Sequence, residues 1–268
     1  KFSFLAVLKS PPEPLTHKHL KYKSMFFEKS IELKNVSFRY ASNNETVLFD
    51  VNLSFPKGSK IAFVGPTGGG KSTVIDLIMG LLKPSEGKII IDGEVLNSDY
   101  CDKWQSQIAH VPQKIHLMDA TIAENVALGI PTDQIDHKLL KDVIKQSQLH
   151  DFINNSSNGY NSKVGESGKA LSGGQIQRIG IARALYKQAN VLVFDEATSA
   201  LDTMTEQKVM SSISQSNKDI TIILVTHRLS MVKDCDIIFE LESGRIVSQG
   251  SYNQLLQSSK AFKKMVES

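Results

Sequence analysis

The feature that most restricts what this chain can become is an octapeptide, Gly65-Pro66-Thr67-Gly68-Gly69-Gly70-Lys71-Ser72. It fits the pattern G-x-x-x-x-G-K-[ST], a loop whose backbone N–H groups point inward and cradle phosphate. Glycines are needed there because side chains would hold the backbone away from the anion. The run Lys60-Ile61-Ala62-Phe63-Val64 before it reads as a buried strand, and residues 71–82 after it read as a helix. A helix starting directly after the loop aims its positive end at the same phosphates. Lys71 is then placed to reach the β- and γ-phosphates, and the Ser72 hydroxyl to ligate Mg²⁺.

Strand, phosphate loop and helix in that order demand a parallel sheet with helices beside it. The rest of the chain supplies both. Residues 191–194, 220–225 and 236–241 are short apolar runs of the kind expected for buried parallel strands. Residues 31–39 and 46–55 alternate, as do strands with one buried face. Residues 88–91 form a further strand, ending in the turn Asp92-Gly93, and residues 246–248 follow the turn Ser243-Gly244. Between about 114 and 188 the period becomes helical, and from Tyr252 onward it is helical again. The expected fold class is α/β. A mostly parallel phosphate-loop core carries an N-terminal antiparallel β subdomain and an inserted helical subdomain over about 114–188.

Composition narrows the function classes. The chain has 268 residues, 41% hydrophobic and 22% charged, ordinary values for a globular domain. A net charge of +3 gives no global basic signal, so no nucleic-acid partner is expected. Cys101 and Cys235 lie far apart and match no metal spacing, which fits reduced thiols. No apolar run approaches the ~20 residues that span a bilayer. Residues 1–27 differ from the rest. A short apolar stretch is followed by Pro11, Pro12 and Pro14, then by Lys18, Lys21 and Lys23 among the histidines His17 and His19. They read as a linker, or as a tether leaving a membrane domain with its lysines near anionic headgroups. The folded domain is expected over 28–268. A chain that starts at Lys1 rather than Met is expected to be a fragment or a processed form.

Two further segments carry chemistry. Val191-Leu192-Val193-Phe194-Asp195-Glu196 is an apolar strand ending in two acids, where ligands of such sheets bind. Asp195 can hold Mg²⁺ through water, and Glu196 can polarise an attacking water beside the γ-phosphate. Leu171-Ser172-Gly173-Gly174-Gln175 opens a second glycine-rich helix start, also suited to an anion.

The full order is the phosphate loop, Val111-Pro112-Gln113, residues 171–175, Asp195-Glu196, Ser199-Ala200-Leu201-Asp202 and Val225-Thr226-His227-Arg228. That ordered set resembles the ATP-binding cassette (ABC) ATPases over about residues 29–260. The resemblance implies ATP hydrolysis with Mg²⁺. It makes Glu196, His227, Lys71 and Gln113 the catalytic set, and Ser72, Gln113 and Asp195 the Mg²⁺ set. The implied ATP contacts are Tyr40, which stacks on adenine, Gly65, Pro66, Thr67, Gly68, Gly69, Gly70, Lys71, Ser72, Thr73, Gln113, Ser172, Gly173, Gly174, Gln175, Asp202 and His227. Asp202 resembles the loop acid at a dimer seam, and His227 the switch histidine at the γ-phosphate.

Within the family, Val164-Gly165-Glu166-Ser167-Gly168 and Thr121-Ile122-Ala123-Glu124-Asn125 resemble exporter segments. Exporters usually carry arginine where Ser167 stands, and residues 114–117 depart from the common acidic-proline sequence. Gln175-Ile176-Gln177-Arg178 is similar to cassettes of lipid-linked oligosaccharide or polysaccharide exporters. The implied partners are a second, identical cassette, bound through ATP, and a transmembrane domain of the same polypeptide. The implied place is the cytoplasmic face of the membrane. An importer's separate ATPase would lack the 164–168 element and the leader. Repair members of the family carry a long coiled coil, and translation members carry two cassettes. An unrelated phosphate-loop kinase would lack residues 171–175.

Overall fold

A computed structural model describes residues 27–41, 45–217, 219–226 and 228–267. The expected linker residues 1–26 and the expected switch residue His227 lie outside the described residues.

The N-terminal part contains β1 (Ser30–Arg39), β2 (Thr46–Pro56), β3 (Lys60–Val64), α1 (Lys71–Ile78), β4 (Glu86–Ile91), β5 (Glu94–Val95), α2 (Ser98–Ser106) and β6 (Ile108–Val111). A helical segment follows with α3 (Ile122–Val126), α4 (His137–Gln146), α5 (His150–Asn154) and α6 (Gly173–Tyr186). The chain then returns to the sheet through β7 (Val191–Asp195), α7 (Thr203–Ser216), β8 (Thr221–Val225), α8 (Leu229–Val232), β9 (Ile237–Glu242) and β10 (Arg245–Gly250). It finishes with α9 (Tyr252–Ser258) and α10 (Lys260–Glu267).

These strands make two sheets. One is antiparallel, in the order β2-β1-β4-β5, and the other runs β10-β9-β3-β8-β7-β6. In the second, only the β9–β10 pair is antiparallel. Its parallel strands β3, β7 and β8 are buried on both faces, which is why they read as nearly unbroken apolar runs. Along β3, Ile61 and Phe63 enter a core shared with the antiparallel sheet, α1 and Trp104. Ala62 and Val64 enter another core shared with Ile181 of α6, Val209 of α7, Leu255 of α9 and Phe262 of α10. The helical segment has a core of its own, built on Ile122, Leu140, Val143, Ile153 and Ile179. The α/β class, the antiparallel layer and the inserted helical lobe are therefore all present as expected.

Four details differ from the sequence reading. The first helix ends at Ile78, not Leu82, because Gly80 takes φ 71° and turns the chain. Helix α2 and edge strand β6 had no expected counterpart. α2 is short and mostly polar, and its anchor is one buried residue, Trp104, whose Nε1 donates to Ile78 O at 2.7 Å. Strand β6 has four residues and is defined by its parallel pairing with β7.

The fourth concerns the domain start. Phe27 was expected to be linker, yet it is 2% exposed and packs edge-on against Trp104, with ring centroids 5.5 Å apart. Just after it, the N–H groups of Glu28, Lys29 and Ser30 all donate to the Asp92 carboxylate. Phe27→Ala should therefore cost about 3–5 kcal/mol of unfolding free energy, the usual cost of emptying a core aromatic site. Urea denaturation of both proteins measures it, and an unchanged midpoint would place Phe27 outside the fold.

Candidate active site

The phosphate loop lies between β3, in the sheet interior, and α1. Gly65 takes φ 133°, and a Cβ there would overlap the carbonyl oxygen of Leu241 on β9. Only glycine fits so close an approach. The β9–β10 turn braces the loop further, with Gly244 N donating to Gly69 O at 3.1 Å. Inside the loop Lys71 Nζ donates to Gly65 O at 2.9 Å and to Pro66 O at 2.8 Å. Lys71 is 6% exposed, and burial pulls its ammonium below the usual lysine range. Burial alone disfavours the cation, so added negative charge here is favourable. The N-cap of α1, Gly70, has no side chain to bond the helix's first N–H groups. Those donors are available to an anion.

The cleft above this loop measures about 230 Å³ and is lined by Val47, Thr67, Gly68, Gly70, Lys71, Ser72, Thr73, Glu196 and Val225. A larger groove of about 430 Å³, near Met210 and Asp234, carries no phosphate loop, so chemistry rather than size selects the site.

Strand β7 ends at Asp195, and Glu196 follows with φ 51°. A non-glycine residue there stores roughly 1–3 kcal/mol of backbone strain. It is held by Glu196 N donating to Val225 O at 2.9 Å. Gln113 Nε2 donates to Glu196 Oε2 at 2.8 Å, so the exposed glutamine after β6 meets the acid after β7. Tyr40 is 37% exposed, and its hydroxyl lies 3.3 Å from Thr73 Oγ1, at the start of α1. Its ring meets Phe38 edge-on at 4.8 Å.

The structure thus joins Tyr40, the phosphate loop, Gln113 and Glu196 in one place. Ser172, Gly173, Gly174 and Gln175 are not among the residues lining that cleft. They open α6 at the edge of the helical lobe, where Ser172 and Gln175 cap each other: Ser172 N donates to Gln175 Oε1 at 2.7 Å, and Gln175 N to Ser172 Oγ at 3.3 Å. Ser172 and Gly173 are exposed. Asp202 caps α7, accepting from Thr205 N at 2.9 Å, and hydrogen bonding from the side chain and then the backbone of Thr205 holds its carboxyl below the usual aspartate range.

Residues that the sequence left unassigned also shape the site. Val47 and Val225 line the cleft, and Leu241 and Gly244 buttress the loop. In the sequence Val225 stood in the ordered motif set and Gly244 in a turn, whereas Val47 and Leu241 were legible only as strand positions. The carboxyl of Asp195 is raised above its usual range, mainly by burial and also by Glu196 and Asp76, against the opposing pull of His110 and Lys71. A carboxylate in that setting gains from a bound cation.

Comparison with known proteins adds the following. The family described as ABC transporter matches residues 48–199, and one described as a P-loop domain of ABC ATPases matches residues 140–265. The ATP-dependent lipid A-core flippases of Escherichia coli (strain K12) and Shigella flexneri are each 38% identical over 227 residues, which is 85% of this chain and 39% of theirs. A solved structure, described as a bacterial Atm1-family ABC exporter with ATP bound, is 36% identical with a TM-score of 0.83. It covers 89% of this chain and 42% of its own. The chain therefore spans about two fifths of the length of these relatives. Among the described residues no helix is long and apolar enough to cross a membrane.

The raised Asp195 carboxyl has a consequence for stability. Its folded pKa lies above its unfolded one, so between the two the folded chain binds more protons, and stability falls as pH rises through that window. Asp195→Asn removes the buried charge. It should raise the unfolding midpoint of the nucleotide-free chain at neutral pH, on a scale of about 2–4 °C per kcal/mol. The gain should shrink as the pH is lowered through the window. Thermal melts at neutral and acid pH check this, and a pH-independent gain would show that the charge is not its source.

Proposed function

The chain belongs to the ABC transporter family, and from that membership we propose that it is the ATP-hydrolysing motor of an exporter, one of two copies that close around Mg-ATP. The observation that carries the hydrolytic part is the contact of Gln113 with Glu196 at 2.8 Å beside the phosphate loop. It sets an acid, an amide and a phosphate cradle around one cleft.

In this reading the loop N–H groups of residues 65–72 and the first turn of α1 hold the β- and γ-phosphates. Lys71 exchanges its two loop carbonyls for phosphate oxygens. The face of Tyr40 carries the base by stacking, which reads no base edge. Ser72, Gln113 and, through water, Asp195 are the groups that would hold Mg²⁺. The ion supplies charge neutralisation on the phosphate oxygens. Glu196 accepts a proton from the water that attacks the γ-phosphorus, and its strained backbone fixes where the carboxylate stands. Gln113, bonded to that carboxylate, orients it. His227 is proposed to contact the γ-phosphate.

The position of the other anion site supports a second copy. Ser172 and Gly174 lie outside the cleft that holds Lys71, yet their turn is exposed and its helix start is suited to phosphate. Two chains related by a two-fold axis place each phosphate loop opposite the other's residues 172–174. Loss of the γ-phosphate then opens the seam, and Gln113 passes that motion to a membrane-spanning partner. The relatives described as flippases and exporters support that partner, with the chain at the cytoplasmic face of the membrane. The resemblance of residues 175–178 supports a lipid-linked saccharide as the class of cargo.

Glu196→Gln keeps size and hydrogen bonding but removes the proton acceptor. Hydrolysis should fall by about 10²-fold or more, the usual contribution of a general base, with ATP binding retained. Phosphate release and nucleotide affinity, measured with and without Mg²⁺, test this. Near-normal turnover would remove Glu196 from the chemistry.

Ser172→Arg tests the shared seam. In the Glu196→Gln background, light scattering over a concentration series should show dimers on adding Mg-ATP. Adding Ser172→Arg should abolish them while leaving ATP affinity within about twofold, because the arginine blocks closure rather than the loop. Equal dimerisation of the two proteins would refute the role of Ser172 across the seam.

A further inference from the structure

Loop 199–202 follows Glu196 and leads into α7, and its polar groups are taken up by two other parts of the chain. From α6, Gln177 donates through Nε2 to Ser199 Oγ at 3.0 Å and accepts through Oε1 from Ala200 N at 2.8 Å. Gln177 is 5% exposed. The start of α6 also abuts the loop directly: a Cβ on Gly174 would stand 3.2 Å from Ala200 O. From the other side, Arg228 donates through Nη2 to Ser199 O and through Nη1 to Leu201 O, each at 2.7 Å. Its guanidinium also meets Glu206 at 3.4 Å. Glu206 is 1% exposed, and its second oxygen accepts from Ser230 Oγ at 3.2 Å.

The loop is bonded to the catalytic segment as well. Ser199 N donates to Glu196 O at 3.2 Å, and Leu201 N to Thr198 O at 3.0 Å. A buried polar group whose partner moves away is left unpaired at a cost above the bond's own net value. The loop therefore cannot shift against α6 or against Arg228 while both sets of bonds hold. Arginine suits the second set because its planar fork spans two carbonyls, which the point charge of lysine cannot do.

We propose that Gln177 and Arg228 are positioning residues that make the turn 172–174, loop 199–202 and the backbone of Glu196 move as one unit. The inference rests on the two-copy reading. Nucleotide presented by the second copy to the turn 172–174 then sets where Glu196 stands over this chain's own nucleotide. Neither side chain lines the cleft above the phosphate loop. The linkage lies within one chain and ties its two half-sites together.

The test is a double-mutant cycle on the 268-residue chain with Gln177→Leu, Arg228→Lys and both. ATP affinity should stay within about twofold and kcat should fall about tenfold in each single variant, a loss confined to the reacting complex. The double variant should lie within about twofold of the weaker single, because both changes cut the same linkage. Gln177→Glu keeps the acceptor for Ala200 N and should recover part of the lost kcat. Unchanged kcat in the single variants overturns the proposal. So does a double loss equal to the product of the singles. A fall in unfolding midpoint and ATP affinity that parallels the fall in kcat makes the role structural and overturns it too. Absence of hydrolysis by the unaltered chain removes the proposed function as well, whereas hydrolysis with multiplicative losses removes only this linkage.

Discussion

The ring that Lys71 closes on its own loop, through the carbonyls of Gly65 and Pro66, is the contact around which the molecule is arranged. It puts a buried cation and a set of inward N–H groups at the carboxyl end of β3. That arrangement holds only because β3 is a central strand, flanked by β8 and β9, and because Gly65 can press against the Leu241 carbonyl. A loop at a sheet edge would lack that backing. The two-sided burial of the sheet, with Phe63 in one core and Val64 in the other, is thus what fixes the phosphate cradle.

The helical lobe serves a different end. Its core is separate, and α6 bridges it to the sheet: Ile179 and Ala182 face the lobe, and Ile181 and Ala184 face the second core. Gly180 allows Ile115 to lie against this helix, where a Cβ would stand 2.5 Å from Ile115 Cδ1. Arg183 adds bonds to Asn125 O and His116 O. The stretch after Gln113 is therefore fastened to the same helix that begins at Gly173. Through Gln113 and through loop 199–202, Glu196 is tied to α6 by two routes. The acid proposed to activate the attacking water is consequently tied to the position of the lobe.

The phosphate loop, the acid pair and the helix start at Gly173 were legible as linear strings because each is a contiguous run with a fixed spacing. The buried strands were legible because burial on both faces leaves no polar position in them. Weaker elements escaped. β6 is four residues long and exists by pairing with β7, and α2 is polar along its length except for the Trp104 anchor. Phe27 looked like the end of a linker because the short run Met25-Phe26-Phe27 before Glu28 is too brief to show a periodicity. Its place is set by Trp104, which is remote in sequence.

By itself the sequence determined the chemistry and the class: a phosphate cradle, a pair of acids at a strand end, a second glycine-rich helix start, and an α/β sheet to carry them. These follow from residue type and local spacing, which act within a few residues. Only the tertiary structure decided which of these groups meet. It joined Gln113 to Glu196, drew Tyr40 to Thr73, kept the turn 172–174 out of the cleft, and locked loop 199–202 between Gln177 and Arg228. Those pairings depend on strand order and helix packing. Both are set by the collective burial of three cores, and no local pattern in the chain encodes them.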